Sequence, residues 1–417
     1  MNSDGQNRGA ASLPPPASGL IPALGPRLVF FTGGTALRDL SRQLTRYTHN
    51  SVHLITPFDS GGSSAALRRA FAMPAVGDIR NRLLALADSA VVPRNVLDFC
   101  ARRLPEEGNA EALRARLRAL AAVEHPLWAA MPEIFAGALR LHMRFFLERM
   151  PRDFDPRLAS LGNLILAGGY LHHKRNFGPV LAFFSRLLQV RGVVLPIAGE
   201  SLHLAAELDD GSRLVGQHRF KELTRPVRRL FLTVHEPDRA GAAVHPQTPC
   251  RPPLAPAAAA YLRSAGAICY PMGSFYTSVL ANLLPQGVGR SVAAANCPKI
   301  FIPNSGHDAE VHGLSLVGQV GMLLRHLRED ASEARTEELL HWVLVDSRNG
   351  RYEGGLGPEV RHALADLGVP LLERDMVCEG DPQRHDPELT ARALLACCPT
   401  ADAPGNRSWD ERARTPR

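Results

Sequence analysis

The chain has 417 residues, 45% of them hydrophobic, and a formal net charge of +7. That length suits one large domain with an insertion, or two domains, and the apolar content is enough for a sizeable core. With no apolar run of about 18 residues, and no basic start leading into an apolar stretch, neither a membrane span nor a secretory signal is expected, and a cytoplasmic location is.

Only Lys174, Lys221 and Lys299 are lysines; every other basic residue is an arginine, scattered among acids. No basic block is interleaved with aromatics, which argues against a nucleic-acid partner. An arginine-rich chain suits phosphate and carboxylate ligands, because the guanidinium fork binds them bidentately. The seven cysteines are an odd number and form no CxxC pair, so neither a disulfide framework nor a structural zinc site is expected. Cys269 and Cys297 lie in or beside apolar runs and read as buried small hydrophobes.

Residues 1–26 are rich in Pro, Gly, Ser and Ala and predict a segment without fixed structure. Leu28-Val29-Phe30-Phe31 then reads as a buried strand closing on Thr32-Gly33-Gly34-Thr35. Leu37, Leu40, Leu44 and Tyr47 recur at helical spacing, and a second strand starts at Val52 and closes on Asp59-Ser60-Gly61-Gly62-Ser63-Ser64. Strand, glycine turn, helix, strand is the opening of a parallel α/β sheet. Residues 90–160 predict a helical insertion, and residues 191–219 a β-hairpin starting at Val193 and turning at Asp209-Asp210-Gly211. The α/β rhythm resumes with strands at Ala267–Tyr270, Lys299–Ile302 and Trp342–Val345, and one helix carries Leu316, Val320, Leu323 and Leu327. The main domain is taken as residues 27–398, and residues 399–417 as a loose tail.

Four segments can carry chemistry. Thr32-Gly33-Gly34-Thr35 sits where a strand meets a helix, which suits either a purely steric turn or an anion on the helix-start amides. Asp59 to Ser64 offers one carboxylate, two glycines and three hydroxyls at a parallel strand end, suited to phosphate or hydrated magnesium; the alternative is a helix capped by Ser63 or Ser64. Gly77-Asp78-Ile79-Arg80-Asn81 opens another helix, as a cap with a surface pair or as an anion or metal site. Met272-Gly273-Ser274-Phe275-Tyr276-Thr277-Ser278 has the form of a phosphate cradle, without the Gly-Lys-Ser/Thr of a Walker loop. There is no GxSxG elbow for a hydrolase. His172-His173-Lys174-Arg175 reads as a helix C-terminus, and the spacing of His307 and His312 is poor for two metal ligands on one helix face.

In this order, with Ser160-Leu161-Gly162-Asn163-Leu164 added, the segments resemble the CofD-like family, which includes 2-phospho-L-lactate transferase and the YvcK-type gluconeogenesis and cell-wall regulators. The resemblance implies a three-layer α/β/α, Rossmann-like parallel sheet carrying the helical insertion and the hairpin. It implies a nucleoside diphosphate or nucleotide-sugar ligand at the strand ends. The transferase moves a phospholactyl-type group from a guanosine diphosphate donor to a deazaflavin alcohol with magnesium, whereas the regulators bind a UDP-sugar. Carried over to this chain, Asp59 is the expected catalytic and magnesium-binding residue. Gly33, Gly34, Thr35, Gly61, Gly62, Ser63, Asp78, Arg80, Asn81, Asn163, Gly273, Ser274, Tyr276 and Thr277 are expected to contact the ligand. Among them, the amides around Gly33, Gly34, Gly273 and Ser274 are expected to hold the diphosphate, and Arg80 to neutralise its charge. The chain departs from the family pattern at Ser60, where a second aspartate is usual, and at Ala36, Ala159 and Met272. Glu310 and Gly313 resemble a stretch of the regulator branch. A homodimer is the assembly considered.

Overall fold

The computed structural model describes residues 21–234, 248–308, 310–311 and 313–398. The expectations for residues 1–20, for the tail at 399–417 and for His312 fall outside these. The described residues include twelve strands: β1 Leu28–Thr32, β2 Val52–Ile55, β3 Val193–Pro196, β4 His203–Leu208, β5 Arg213–Val215, β6 Val227–Thr233, β7 Ala267–Tyr270, β8 Lys299–Phe301, β9 Trp342–Val345, β10 Leu371–Glu373, β11 Val377–Cys378 and β12 Asp381–His385. Seven of them form one sheet in the order β10-β9-β8-β7-β1-β2-β3, with every pairing parallel.

The strand β1 is buried along its whole length because both faces of the sheet are covered. Val29 and Phe31 join one core with Leu323 and Leu327 of the helix Leu316–Arg328. Leu28 and Phe30 join a second core with Leu40, Leu44 and Leu394. Helices therefore flank the sheet on both sides, and the expected three-layer α/β fold is present.

The crossover from β2 to β3 carries the helical layer. It includes Arg94–Ala101, Ala110–Ala119, Pro126–Ala129 and Glu133–Arg149, and continues through Leu161–His172 and Phe177–Leu187. Helices Glu133–Arg149 and Leu161–His172 touch closely enough that a methyl group on Gly168 would lie 2.1 Å from the His142 carbonyl oxygen.

Two expectations are corrected. Val193–Pro196 does not begin a hairpin; it is the edge strand of the main sheet, in parallel register with Val52–Ile55. A short β-branched run reports burial but not which sheet receives it. The antiparallel hairpin is β4 with β5, and β6 completes a separate three-stranded sheet on the other side of β4. Residues 21–26 are also not loose: Asn50 Nδ2 donates to the carbonyls of Ala23 and Gly25, and Thr48 Oγ1 to that of Pro26.

Gly168→Ala is expected to lower stability by about 1–3 kcal/mol, the usual cost of overpacking a closed contact. Urea unfolding of the two chains, with equal m-values, checks it; an unchanged midpoint would show that the two helices can separate freely.

Candidate functional site

The chain leaves β1 toward β2 on one side of the sheet and leaves β7 toward β8 on the other. Where such connections diverge, the carboxyl ends of the two strands leave a crevice. Gly33–Gly34 follows β1 and Gly273–Ser274 follows β7, so both glycine turns stand at this point. Gly34 (φ 57°) and Gly273 (φ 134°) hold backbone shapes that side chains resist. Gly33 is needed for space: a Cβ there would lie 2.9 Å from Ser278 Oγ, 3.0 Å from Thr56 Oγ1 and 3.3 Å from Asp78 Oδ2. Three separate segments thus meet over one bare Cα. A Cβ on Gly273 would be 3.4 Å from that of Ala36, which brings the β7 turn against the β1 turn. Thr35 is exposed beside them.

Asp59 follows β2. Its Oδ1 accepts the Gly61 N–H at 2.9 Å, and its main-chain carbonyl accepts the buried Arg68 guanidinium at 3.1 Å. The helix Gly62–Phe71 begins at Gly62, with Gly61 as its first flanking residue, so Ser63 and Ser64 are not caps. They turn inward instead. Ser63 Oγ accepts from Asn163 Nδ2 (3.2 Å) and from the Ser160 N–H (3.1 Å). A Cβ on Gly77 would meet Ser64 Oγ at 2.9 Å, Asp59 Oδ2 at 3.4 Å and Asn163 Nδ2 at 3.8 Å. Asp59, Gly61, Ser63, Asp78 and Asn163 are therefore drawn together at the ends of β1 and β2.

Asp78 lies in the first turn of Gly77–Leu86 and does not cap that helix. Burial, and next the negative charge of Asp59, push its carboxyl up to about 6, against a hydrogen bond from the Gly34 backbone and the charges of Arg82 and Arg80. Among the described residues, Thr56 Oγ1 and Asn163 Oδ1 are buried without a hydrogen-bond partner. Such atoms next to two carboxylates could complete a cation or ligand contact.

The other expected contacts are placed differently. Arg80 is only 5% exposed; its guanidinium donates to Ser160 Oγ and to Asn81 Oδ1, so both residues of that pair brace the Ser160 turn. Gly62 is exposed at the outer edge. The amides expected to hold a diphosphate are largely taken: Gly34 by Asp78, Gly273 by Asn304 Oδ1 at 2.8 Å, and Tyr276 and Thr277 by Glu310 Oε2 at 3.1 and 3.0 Å. Thr277 Oγ1 also donates to Glu310 Oε1 at 2.6 Å. A buried N–H must find an acceptor, and here side chains from distant loops supply it. The segment after Ser274 is a π-helical turn, Phe275–Val279.

Thr56 and the buried arginines Arg68 and Arg82 were not singled out from sequence. Thr56 has a local signal, as the first residue after β2 before a glycine turn. Arg82 has none; it reaches Ser41 Oγ, and Thr32 Oγ1 at 3.3 Å, only once the sheet has formed.

The fold is that of an open parallel α/β protein, with a polar crevice at the switch point of its sheet. The family model described as 2-phospho-L-lactate transferase CofD matches residues 28–361, and the chain belongs to that family. It is 27% identical over 384 residues to the gluconeogenesis factor of Bacillus subtilis (strain 168), covering 89% of this chain and 97% of the relative. To the gluconeogenesis factor of Halalkalibacterium halodurans it is 27% identical over 387 residues, covering 88% and 95%. The fold is also that of a crystal structure of a UPF0052-family protein from Bacillus halodurans, with a TM-score of 0.63, 24% identity, and coverage of 89% of this chain and 99% of that one.

Burial pushes Glu310 up to about 7, against three hydrogen bonds that favour its anion. A carboxyl raised in the folded state stabilises the fold fully below its ordinary value, and the contribution is lost as pH rises through about 7. Buried His53, His203 and His385 are held below their ordinary range and act in the opposite sense, losing stability on acidification. The carboxyl effect is therefore read as a difference: the Tm of Glu310→Gln minus that of the parent should increase from pH 5 to pH 8. A difference that stays flat would show that Glu310 ionises without penalty.

Proposed function

We propose that the crevice between the ends of β1 and β7 binds a nucleoside diphosphate or nucleotide sugar, and that the chain is a nucleotide-diphosphate-dependent transferase moving a phospho-linked group to an acceptor. The observation that carries this reading is the convergence of Gly33, Asp59, Asp78 and Ser278 at the switch point. Gly33 lets Thr56, Asp78 and Ser278 close on the main chain, and Ser274 and Thr35 offer hydroxyls at the adjoining turns.

Asp59 and Asp78 are the residues that would hold a magnesium ion. Two facing carboxylates beside the orphaned Thr56 and Asn163 oxygens are hard donors of the kind this ion takes. Such an ion would supply charge neutralisation at the diphosphate. The chain's own part is positioning. Asp59, fixed by Gly61 and Arg68, orients the acceptor hydroxyl or receives its proton as the oxygen attacks phosphorus and the bond to the nucleotide breaks.

The second reading is a YvcK-like, non-catalytic regulator that binds a nucleotide sugar. Ser60 favours it: in place of a second carboxylate, its hydroxyl pairs with His218 Nδ1 at 2.9 Å. The gluconeogenesis-factor relatives point the same way.

A thermal-shift panel of guanosine and uridine diphosphates and UDP-sugars, with and without magnesium, tests the ligand. A magnesium-dependent rise with a guanosine diphosphate donor that is turned over supports the transferase. A rise with UDP-sugars that are not consumed supports the regulator, and no rise with any of them removes both. Asp59→Asn should keep the parent Tm and reduce binding or turnover by ~10–100-fold; unchanged binding and activity would take Asp59 out of the site.

A further inference from the structure

Across the Gly61–Gly62 turn from the carboxylates lies a cluster of the opposite sign. Residues 102–104 run antiparallel to residues 158–161, fixed by Leu104 N–H to Ala159 O (2.8 Å), Leu161 N–H to Arg102 O (3.0 Å) and a bridge between Arg103 and Ser160. This ladder ties the end of the helix Arg94–Ala101 to the start of Leu161–His172. Arg103 is exposed, its Nη1 resting on the Leu158 carbonyl at 3.3 Å and 3.9 Å from where a Gly62 Cβ would stand. Arg80 reaches the same turn from behind, with its guanidinium on Ser160 Oγ.

The two guanidinium groups are close enough that Arg103 helps hold the Arg80 pKa down to about 10, after burial. Among the described residues, neither forms a salt bridge, whereas most of the ion pairs present join an arginine to an acid on the surface. Like charges held together by a rigid backbone cost free energy, and Asp78, the carboxylate within electrostatic reach of Arg80, forms no salt bridge with either. A bound anion removes that cost, and guanidinium forks match phosphate geometry. Gly62, at φ 44° and without a side chain, leaves the space in front of Arg103 open.

We infer that Arg103, with Arg80 behind it, forms an anion subsite on the insertion side of the Gly61–Gly62 turn, which takes a phosphate-class group of the ligand. The subsite deepens the proposed function, since it extends the same crevice past Asp59. It places the nucleotide's diphosphate at β1 and β7 and a further anionic group of the ligand at the helical insertion. Arg103 is then a binding residue supplied by the insertion, a role its position in the sequence does not suggest.

The test uses the full chain and inorganic phosphate as the probe, at constant ionic strength with chloride as the reference. The parent should gain Tm as phosphate is titrated, and the midpoint of that gain gives its affinity. Arg103→Met should weaken the affinity by about 10-fold, the factor expected for one lost charge-assisted hydrogen bond. Arg103→Lys should recover part of it, and Arg102→Met, which removes the same charge one residue away, should leave it unchanged. A parent without a phosphate-specific gain overturns the subsite, as does equal weakening by Arg103→Met and Arg102→Met. Because the probe carries no nucleoside, the subsite and the nucleotide site fail separately. Phosphate binding through Arg103 without any nucleotide response removes only the nucleotide reading, and a nucleotide response indifferent to Arg103→Met removes only the subsite.

Discussion

Asp59 and Asp78 stand against each other where two parallel strands end, and much of the surrounding structure serves to keep them there. Their mutual repulsion, added to burial, is what lifts Asp78 to about 6. The opposing forces come from elements far apart in sequence. The Gly34 backbone bonds to Asp78, the Gly61 N–H bonds to Asp59, and the Arg82 guanidinium lies within electrostatic reach. Strain of this kind persists only where the fold over-determines it, and it is concentrated here at the end of the sheet where ligands enter such folds.

Three buried arginines provide much of that determination. Arg68 and Arg80 are 5% exposed and Arg82 is 2% exposed, and each holds a different loop. Arg68 takes the carbonyls of Phe58, Asp59 and Leu202; Arg82 takes Ser41 and Thr32; Arg80 takes Ser160 and Asn81. A planar fork with several donors can serve two or three acceptors at once, which a lysine ammonium on a flexible stem does less well. The arginine-rich composition thus has a scaffolding meaning. The arginines nearest the carboxylates spend their donors on main chain and hydroxyls, and Arg103 in its short ladder keeps an exposed guanidinium.

The sheet's central strands were legible because burial on both faces writes them as short apolar runs: Leu28–Phe31, Ala267–Tyr270 and Trp342–Val345 need no tertiary information. Val193–Pro196 shows the limit of that signal, since its residues suit a hairpin or a parallel edge equally. Leu371–Glu373 is three residues long and half exposed, and Val227–Thr233 is interrupted by Arg228 and Arg229, so neither announces a strand. In the site, the glycine turns were legible as punctuation at strand ends. Their partners were not, because Asn304 and Glu310 lie in an irregular segment after β8 and meet Gly273, Tyr276 and Thr277 only through the order of the sheet.

Those partners change how an anion can be received. A nest of free amides would bind phosphate unaided, but here the N–H groups of Gly34, Gly273, Tyr276 and Thr277 already donate to Asp78, Asn304 and Glu310. An anionic ligand entering this crevice must displace a carboxylate or draw its attraction from cations. Under the proposed function the latter would come from both edges: a divalent ion held by the carboxylate pair on one side of the Gly61–Gly62 turn, and the Arg80–Arg103 pair on the other. Ser60 fits the same division. Where the family commonly has two adjacent aspartates, this chain places a hydroxyl bonded to His218, so its acidic pair is assembled from two elements, Asp59 after β2 and Asp78 at a helix start. A pair built that way depends on the packing of the helix Gly77–Leu86 against the sheet, which makes its geometry a property of the whole fold and not of one loop.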